Sequence, residues 1–110
     1  PTIVLEKGSP LLVTGSGGSN RIRSVIVQIL VNFLCHGMDI EEATGAPRVH
    51  LEGNVLHLEP GVSENDLTEM TSRYTLHRWD RKNLFFGGAH SVTANEGAGD
   101  ARRGGVSLVF

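Results

Sequence analysis

The sequence predicts an α+β fold in which helices pack against an antiparallel sheet. Three observations favour this class: short runs of β-type residues, a hairpin signal near the amino terminus, and one long amphipathic helix between strands. The chain has 110 residues, of which 39% are hydrophobic and 20% charged, as in ordinary globular proteins. A chain of this length can bury one core, so we expect residues 1–110 to form a single folded unit.

The amino-terminal residues predict a hairpin followed by a loop. The runs TIVLE (residues 2–6) and PLLVT (residues 10–14) are β-type, and Lys7, Gly8 and Ser9 join them. A glycine-rich loop at residues 15–19 follows the second run. Glycine and serine in such numbers are typical of a turn that leads into the next element.

A long helix should follow that loop and continue to about Cys35, with Ser19 or Asn20 as its N-cap. Its apolar residues recur every three or four positions and form a stripe that would face the core. Val27 and Val31 fall outside this stripe, so we expect the helix to be covered on most sides. Cys35 is the single cysteine, which excludes an internal disulfide, and we interpret it as a small buried thiol.

The remainder of the chain predicts two shorter helices and four strands. Asp39 and Glu42 have the spacing of a capping box at the start of the second helix. Ser63 is the expected N-cap of the third helix, whose inner face would carry Leu67 and Met70. The predicted strands are residues 55–59, 74–79, 90–94 and 105–110.

Charge and hydropathy exclude two classes of partner. The net charge of −2 favours binding neither to nucleic acid nor to an anionic membrane. The longest apolar run is broken by Gln28 and Asn32 and is too short to span a bilayer. The chain begins at Pro1 on strand-like residues without a signal peptide, so we expect it to be cut from a longer polypeptide. Its compartment therefore stays open: periplasmic, secreted or cytoplasmic.

The loop TGSGGSNR, residues 14–21, is the strongest candidate for a functional motif. It lacks the lysine of a phosphate-binding P-loop, and Asn20 stands where a dinucleotide-binding fingerprint needs its third glycine. A flexible backbone that leads into a helix N-terminus favours an anion or a developing oxyanion. The alternative is a tight turn that merely needs glycine, and spacing does not decide between the two.

Other patterns predict no metal site, cofactor site or side-chain nucleophile. The histidines at positions 36, 50, 57, 77 and 90 lack metal-ligand spacing and are interpreted as surface or core residues. Arg21 and Arg23 stand where the helix dipole opposes positive charge, so one of them should have an anionic partner. For Arg102 and Arg103, a structural ion pair is as good an interpretation as binding of an anion. HRWDRK at residues 77–82 is interpreted as a solvated strand end.

Longer segments are more distinctive than any single motif. They are the opening PTIVL, the Gly-Ser-Gly-Gly loop, the helix ending in HGM, EEATGAPRVH, LHLEPGVS, RWDRKNLFFGGAHSV and GAGDARRGG. Together they resemble the C-terminal part of the γ-glutamyltransferase (γ-glutamyltranspeptidase) family. The resemblance implies an αββα sandwich of the N-terminal-nucleophile hydrolase type, cut autocatalytically into a large and a small subunit. It also implies transfer of the γ-glutamyl group of glutathione and related compounds to water or an amino acid through an acyl-threonine.

By this resemblance, residues 1–110 are a C-terminal fragment of a small subunit. The nucleophilic threonine would lie upstream of Pro1, so the isolated fragment should be inactive. Its partners would be the remainder of the small subunit and the large subunit. Without them it should expose a helix face and a sheet edge and tend to self-associate.

The family's paired backbone amides, which stabilise the tetrahedral oxyanion, fall in the glycine-rich loop. The common family form is Gly-Ser-Pro-Gly-Gly-Ser. A gapless match assigns the donors to Gly18 and Ser19, whereas matching the glycine pair assigns them to Gly17 and Gly18. Two other functions stay open: a cephalosporin- or glutaryl-acylase-like amidohydrolase, and a non-catalytic protein-interaction domain in which the loop is only a turn.

Overall fold

A computed structural model describes residues 1–63 and 65–110. In these residues the chain forms two sheets and three helices. The strands are β1 (Thr2–Glu6), β2 (Ser9–Gly17), β3 (Val49–Glu52), β4 (Val55–Leu58), β5 (Thr75–Arg78), β6 (Gly88–Val92) and β7 (Gly97–Gly99). The helices are α1 (Ile22–Leu34), α2 (Ile40–Gly45) and α3 (Thr68–Thr71).

The larger sheet has the strand order β1-β2-β6-β7 and is antiparallel throughout. Its first hairpin is confirmed, with Lys7 and Gly8 at the turn, both at positive φ as a two-residue hairpin turn requires. The loop predicted from Gly15 is wrong for its first three residues, because β2 continues to Gly17 and pairs there with Gly88. Local glycine content did not reveal this pairing, since the partner strand lies about 70 residues away in sequence.

Helix α1 packs on the larger sheet and builds the main core. Val25 and Ile29 are buried against Leu12, in a cluster completed by Ile40, Ala89 and Ala98. The predicted N-caps Ser19 and Asn20 are wrong. Arg21 is the N-cap residue and makes no side-chain capping bond, while the Ile22 N–H donates to the main-chain oxygen of Ser19 at 3.1 Å.

The outer side of α1 is more exposed than its sequence predicts. Val27 is 58% exposed and Val31 40%, and Leu34, predicted to face the core, is exposed as well. Cys35 is likewise an exposed free thiol rather than a buried one. The physical reason is that the sheet covers a single side of α1, and helical periodicity indicates which residues are apolar without showing what covers them.

The shorter helices give mixed outcomes. The capping box of α2 is confirmed, because Asp39 Oδ1 accepts from the Glu42 N–H at 2.8 Å and Glu42 reaches back to the Asp39 N–H. The N-cap of α3 is Leu67 rather than Ser63. The residue after Ser63 lies outside the described residues. Leu67 is buried as predicted, but Met70 is 45% exposed because α3 is a single turn.

The smaller sheet has the order β3-β4-β5 and departs from a purely antiparallel arrangement. β3 and β4 form a hairpin, whereas β4 and β5 are parallel because the segment containing α3 carries the chain back across the sheet. Leu56, Leu58 and Leu67 form a second buried cluster beneath it. β3 and β7 were not predicted, and the strand predicted at residues 105–110 is wrong, since that segment has no regular secondary structure.

Four charged side chains form a buried cluster where the two sheets and α2 meet. Arg48 Nη2 lies 2.7 Å from Asp100 Oδ2, and Arg102 donates through Nε to Glu59 Oε1 at 2.7 Å and through Nη1 to Asp100 Oδ1 at 3.1 Å. None of the four side chains is more than 2% exposed. Two cations and two anions balance the formal charge, so Arg102 has the structural ion-pair role that the sequence left open.

The buried cluster also satisfies main-chain groups. Arg48 Nη2 donates to the Thr44 carbonyl at 2.9 Å and Arg102 Nη2 to the Ala46 carbonyl at 2.8 Å, which ties down the end of α2. Burial opposes ionisation of Asp100, but N–H groups of Ala89 and Arg102 and two guanidinium charges outweigh it and hold the pKa of its carboxyl below the ordinary value. The contribution of this cluster to stability is therefore present at pH values above the ordinary aspartate pKa and is lost as pH falls through the lowered pKa of Asp100.

The face of the larger sheet that points away from the helices is apolar and largely uncovered. Ile3, Val13 and Val92 lie side by side on three neighbouring strands, and Ile3 and Val92 are more than half exposed. A sheet with helices on one face and an apolar second face is half of a four-layer αββα sandwich. Among the described residues, no helix is long and apolar enough to cross a membrane.

Removing the carboxylate of Asp100 should destabilise the fold strongly. Asp100→Asn leaves two buried guanidinium groups facing one carboxylate, and breaking a buried ion pair in this way costs about 3–5 kcal/mol. The free energy of unfolding in urea measures this loss. The matched control is Asp80→Asn, an exposed aspartate, which should change it by less than about 0.5 kcal/mol. Equal stability of the two variants would contradict the assignment.

Candidate functional site

The functional candidate is the connection between β2 and α1, residues 18–20, which we call the amide loop. Gly17, at the end of β2, belongs to the ladder with Gly88, whereas Gly18 and Ser19 lie beyond it and are exposed. Gly18 has φ +136, a conformation that an L-residue rarely adopts. In the part of the chain that the structure describes, no hydrogen bond uses the main-chain N–H of Gly18 or Ser19.

A cation lies over Gly17, the residue that precedes the amide loop. The stem of Arg103 runs over Gly88 and its guanidinium lies over Gly17, so close that a Cβ atom at either glycine would overlap it. Two glycines paired across neighbouring strands therefore make the space that this side chain occupies. Among residues 1–63 and 65–110, no acidic side chain lies within ion-pair distance of Arg103, in contrast to the buried Arg102.

Arg21 follows the other end of the amide loop. Its Nη1 lies 3.4 Å from Glu52 Oε2, and its Cζ lies 4.2 Å from the ring centroid of Phe85. The anionic partner that the sequence predicts for Arg21 or Arg23 is thus Glu52, paired with Arg21. We call the contacts of Arg21 with Glu52 and Phe85 the Arg21 clamp.

Helix α1 is joined to the edge of the smaller sheet by two polar side chains. Gln28 donates to the main-chain oxygen of Val49 at 2.9 Å and accepts from the N–H of Val49 at 2.8 Å, as a neighbouring strand would. Ser24 Oγ lies 2.8 Å from Nδ1 of the buried His50. The other ring nitrogen of His50 is buried without a partner among the described residues and lies 4.0 Å from Glu52 Oε2.

Three histidines form a row across the smaller sheet. His50 on β3 pairs with His57 on β4, which pairs with His77 on β5. Trp79 Nε1 donates to His57 Nδ1 at 3.3 Å, and the ring of Phe85 lies 4.5 Å from that of His57. Burial lowers the pKa of His50, and burial together with the neighbouring His77 lowers the pKa of His57.

The structure thus separates the sequence-predicted candidates into two groups. Gly17 lies under Arg103 and is followed directly by Gly18 and Ser19, while Arg102 belongs to the buried charge cluster instead. In the described ranges, no three or more His, Cys, Asp or Glu side chains are arranged so that they could hold a metal ion. Sequence reasoning missed the histidine row and the position of Arg103, because both depend on strand register and leave no mark in local spacing.

Comparisons with known proteins agree with the sequence motifs. A family model described as gamma-glutamyltranspeptidase matches residues 1–110. The chain is 42% identical over 69 residues, 61% of its length, to a glutathione hydrolase proenzyme of Escherichia coli strain K12. It is 33% identical over 95 residues, 86% of its length, to the acylase ACY 1 proenzyme of Pseudomonas sp. strain SE83. These matches cover 12% and 17% of the two relatives, so the chain spans less than a fifth of their length.

The fold of this chain is similar to that of solved structures. The gamma-glutamyltranspeptidase of Pseudomonas nitroreducens, complexed with L-DON, superposes with a TM-score of 0.81 at 28% identity. The superposition covers all of this chain and 61% of that chain. It confirms the predicted α+β fold, part of an αββα sandwich of the N-terminal-nucleophile hydrolase type, with helices packed on a largely antiparallel sheet.

The histidine row should make the fold sensitive to mild acid. Because the pKa values of His50 and His57 are lowered, the folded state binds fewer protons than the unfolded state. The contribution of these two neutral imidazoles to stability is therefore fully present at pH values above the ordinary histidine pKa of 6.5. It is lost as pH falls from 6.5 through the lowered pKa values. NMR titration of the imidazole C–H signals should give midpoints below 6.5 for both residues.

The free energy of unfolding at pH 7.5 and 5.5 provides a second measurement. The variant His50→Gln/His57→Gln should lose part of the difference between the two pH values, whereas His36→Gln, at an exposed position, should keep it. Midpoints at or above 6.5 for His50 and His57 would show that the imidazoles are not held neutral by burial.

Proposed function

The chain belongs to the gamma-glutamyltranspeptidase family, and on that premise we propose that it supplies the oxyanion-binding amides of an enzyme that transfers γ-glutamyl groups. Glutathione is the donor we propose, in keeping with the name of the E. coli relative. The observation that carries the proposal is the pair of unused, exposed N–H groups at Gly18 and Ser19.

The geometry favours Gly18 and Ser19 over the alternative pair, Gly17 and Gly18. Gly17 belongs to the β2–β6 ladder, whereas the next two residues leave the sheet and enter the turn before α1. Main-chain N–H groups that are free of internal partners are ready to meet a carbonyl oxygen as it gathers negative charge. Because glycine at position 18 allows φ +136, the chain can turn there without strain and leave both amides exposed.

The proposed reaction divides its groups between this chain and the rest of the enzyme. A threonine hydroxyl outside this chain attacks the γ-glutamyl carbonyl carbon, and the carbonyl oxygen becomes an oxyanion that accepts hydrogen bonds from Gly18 and Ser19. The intermediate then collapses and its C–N bond breaks. The amine leaves with the proton that the threonine hydroxyl gave up, and the γ-glutamyl group remains on the threonine as an ester. Water or an amino acid attacks that ester and releases the product. The same two amides would donate hydrogen bonds to the oxyanion of both tetrahedral intermediates.

The remainder of the small subunit and the large subunit are the partners that we propose for the uncovered sheet face. The exposed apolar residues Ile3, Leu5 and Val92 lie on that face, opposite the helices. A second sheet packed there would bury them and close the four-layer sandwich. The amide loop and Arg103 would then lie at the edge of the space between the two sheets.

Arg103 supports an anionic substrate. Its guanidinium lies over Gly17, next to the amide loop in sequence, and has no acidic partner among the described residues. A guanidinium can bind a carboxylate through two parallel hydrogen bonds. A γ-glutamyl peptide such as glutathione carries carboxylates at both ends, so we assign Arg103 to one of them.

A glutaryl- or cephalosporin-acylase-like activity is the second candidate, because the chain is 33% identical to the acylase ACY 1 proenzyme. Both activities need the same oxyanion donors and differ in the acyl group. Turnover of γ-glutamyl-p-nitroanilide against glutaryl-p-nitroanilide by the processed full-length protein separates them. Turnover of neither amide would favour a non-catalytic interaction domain.

Removing the N–H of Ser19 should slow acylation while leaving the fold intact. Ser19→Pro deletes one oxyanion donor, which costs about 100- to 1,000-fold in kcat. Ser19→Ala is the matched control: it removes the hydroxyl, keeps the N–H, and should retain the wild-type rate. Circular dichroism checks that both variants are folded. A wild-type kcat in Ser19→Pro would contradict the oxyanion role.

Replacing Arg103 should weaken donor binding. Arg103→Met keeps the length of the stem over Gly88 but removes the charge, so KM for glutathione should rise about tenfold or more, given that charged hydrogen bonds contribute about 1.5–3 kcal/mol. A donor with the C-terminal carboxylate amidated distinguishes the two ends of the substrate. If KM for the amidated donor rises as much in the variant as KM for glutathione, Arg103 does not bind that carboxylate.

A further inference from the structure

The position of the amide loop depends on what holds each of its ends. At the first end, Gly17 is fixed by pairing with Gly88. At the second end, α1 begins at Ile22 with no side-chain cap and no acidic residue in its first turn. Neither Ser19 nor Asn20 makes a side-chain hydrogen bond within the described ranges. The usual devices for fixing a helix start are therefore missing where the loop needs them.

The Arg21 clamp is the side-chain contact present at that end. It reaches two different elements, since Glu52 ends β3 and Phe85 lies in the short 3₁₀ turn Leu84–Phe86. Phe85 is itself well held, because its ring stacks on Trp79 at a centroid distance of 4.8 Å and contacts His57. Arg21 thus contacts an aromatic cluster that packs beside the smaller sheet.

The charge of Arg21 contributes nothing favourable to its own helix. A cation at a helix N-terminus is repelled by the helix dipole, so α1 would be better served by an acidic or neutral residue. Within the described ranges, the favourable contacts of the guanidinium are with Glu52 at the end of β3 and with Phe85 in the turn Leu84–Phe86. Because Arg21 is two residues beyond Ser19, holding its side chain restricts how far the backbone of the amide loop can rotate.

We propose that Arg21 is a positioning residue for the amide loop: through Phe85 and Glu52 it fixes the direction of the Gly18 and Ser19 N–H groups, without touching the substrate. This inference rests on the proposed oxyanion role of that loop. Oxyanion donors act because they are already oriented before the reaction, so a loop that rotates more freely stabilises the transition state less. Such a loss lowers kcat and leaves KM nearly unchanged.

The test compares variants of the processed full-length enzyme with γ-glutamyl-p-nitroanilide as substrate. Arg21→Met removes the guanidinium and Phe85→Leu removes the ring that it covers. Each should lower kcat about tenfold, a modest share of what loss of a whole donor costs, with KM within about twofold. The double variant should be no slower than the slower single variant, because both changes break one contact. Arg21→Lys, which keeps the charge, should recover part of kcat.

Arg23→Met is the matched control, because Arg23 is an exposed cation on the same helix outside the clamp. Its kcat should equal that of the wild type. Titration of active sites by the acyl-enzyme burst counts folded enzyme, so a variant that only loses stability shows fewer sites with unchanged kcat per site. That result for Arg21→Met, or multiplication of the two single effects in the double variant, would overturn the positioning role.

The Ser19 variants separate this inference from the function on which it rests. Slow turnover by Ser19→Pro together with a wild-type kcat per site in Arg21→Met shows that the oxyanion role is right and the positioning role wrong. A wild-type rate in Ser19→Pro overturns both. Slow turnover by Ser19→Pro and by Arg21→Met, with KM preserved in the latter, supports both.

Discussion

Two guanidinium groups and two carboxylates, all nearly without exposure to solvent, constrain the whole arrangement. Arg48 precedes β3, Glu59 follows β4, and Asp100 and Arg102 follow β7, so their contacts fix how the sheets and α2 meet. A buried ion pair is rarely worth more than an apolar contact of the same volume, but a partly broken one is very costly. The cluster therefore adds little net stability itself, but any arrangement of the chain in which one of the four side chains is missing from it is strongly destabilised.

This constraint extends to the candidate site through short stretches of backbone. Asp100 accepts from the N–H of Ala89 at 2.9 Å and, through Arg102, holds the turn that ends at Gly104. Arg103 lies inside that turn, so its stem is directed over Gly88 by a neighbour that is itself buried. The exposed cation beside the amide loop is thus placed by the charge cluster on the other side of the same turn.

Local patterns predicted the elements whose geometry is local. The hairpin turn at Lys7 and Gly8 and the capping box of Asp39 are set by residues three or fewer positions apart, and both were predicted correctly. Strand β7 escaped prediction because two of its three residues are glycines, which have poor β-propensity. Residues 105–110 were predicted as a strand but are not one, since an apolar run forms a strand only when another strand pairs with it. The histidine row and the Gly17–Gly88 pair depend on register between distant strands, which no local spacing reveals.

Gly17 is the position at which the proposed site differs from the loop form Gly-Ser-Pro-Gly-Gly-Ser that the sequence resembles. Proline usually stands at this position by the gapless match, yet a Cβ atom here would overlap the guanidinium of Arg103. The position of Arg103 therefore requires glycine at position 17: with proline there, the guanidinium would have to move. This exchange removes neither of the proposed donors, because they are the main-chain N–H groups of the next two residues, Gly18 and Ser19. A site built from backbone can thus change its neighbours while the hydrogen bonds that it offers stay the same.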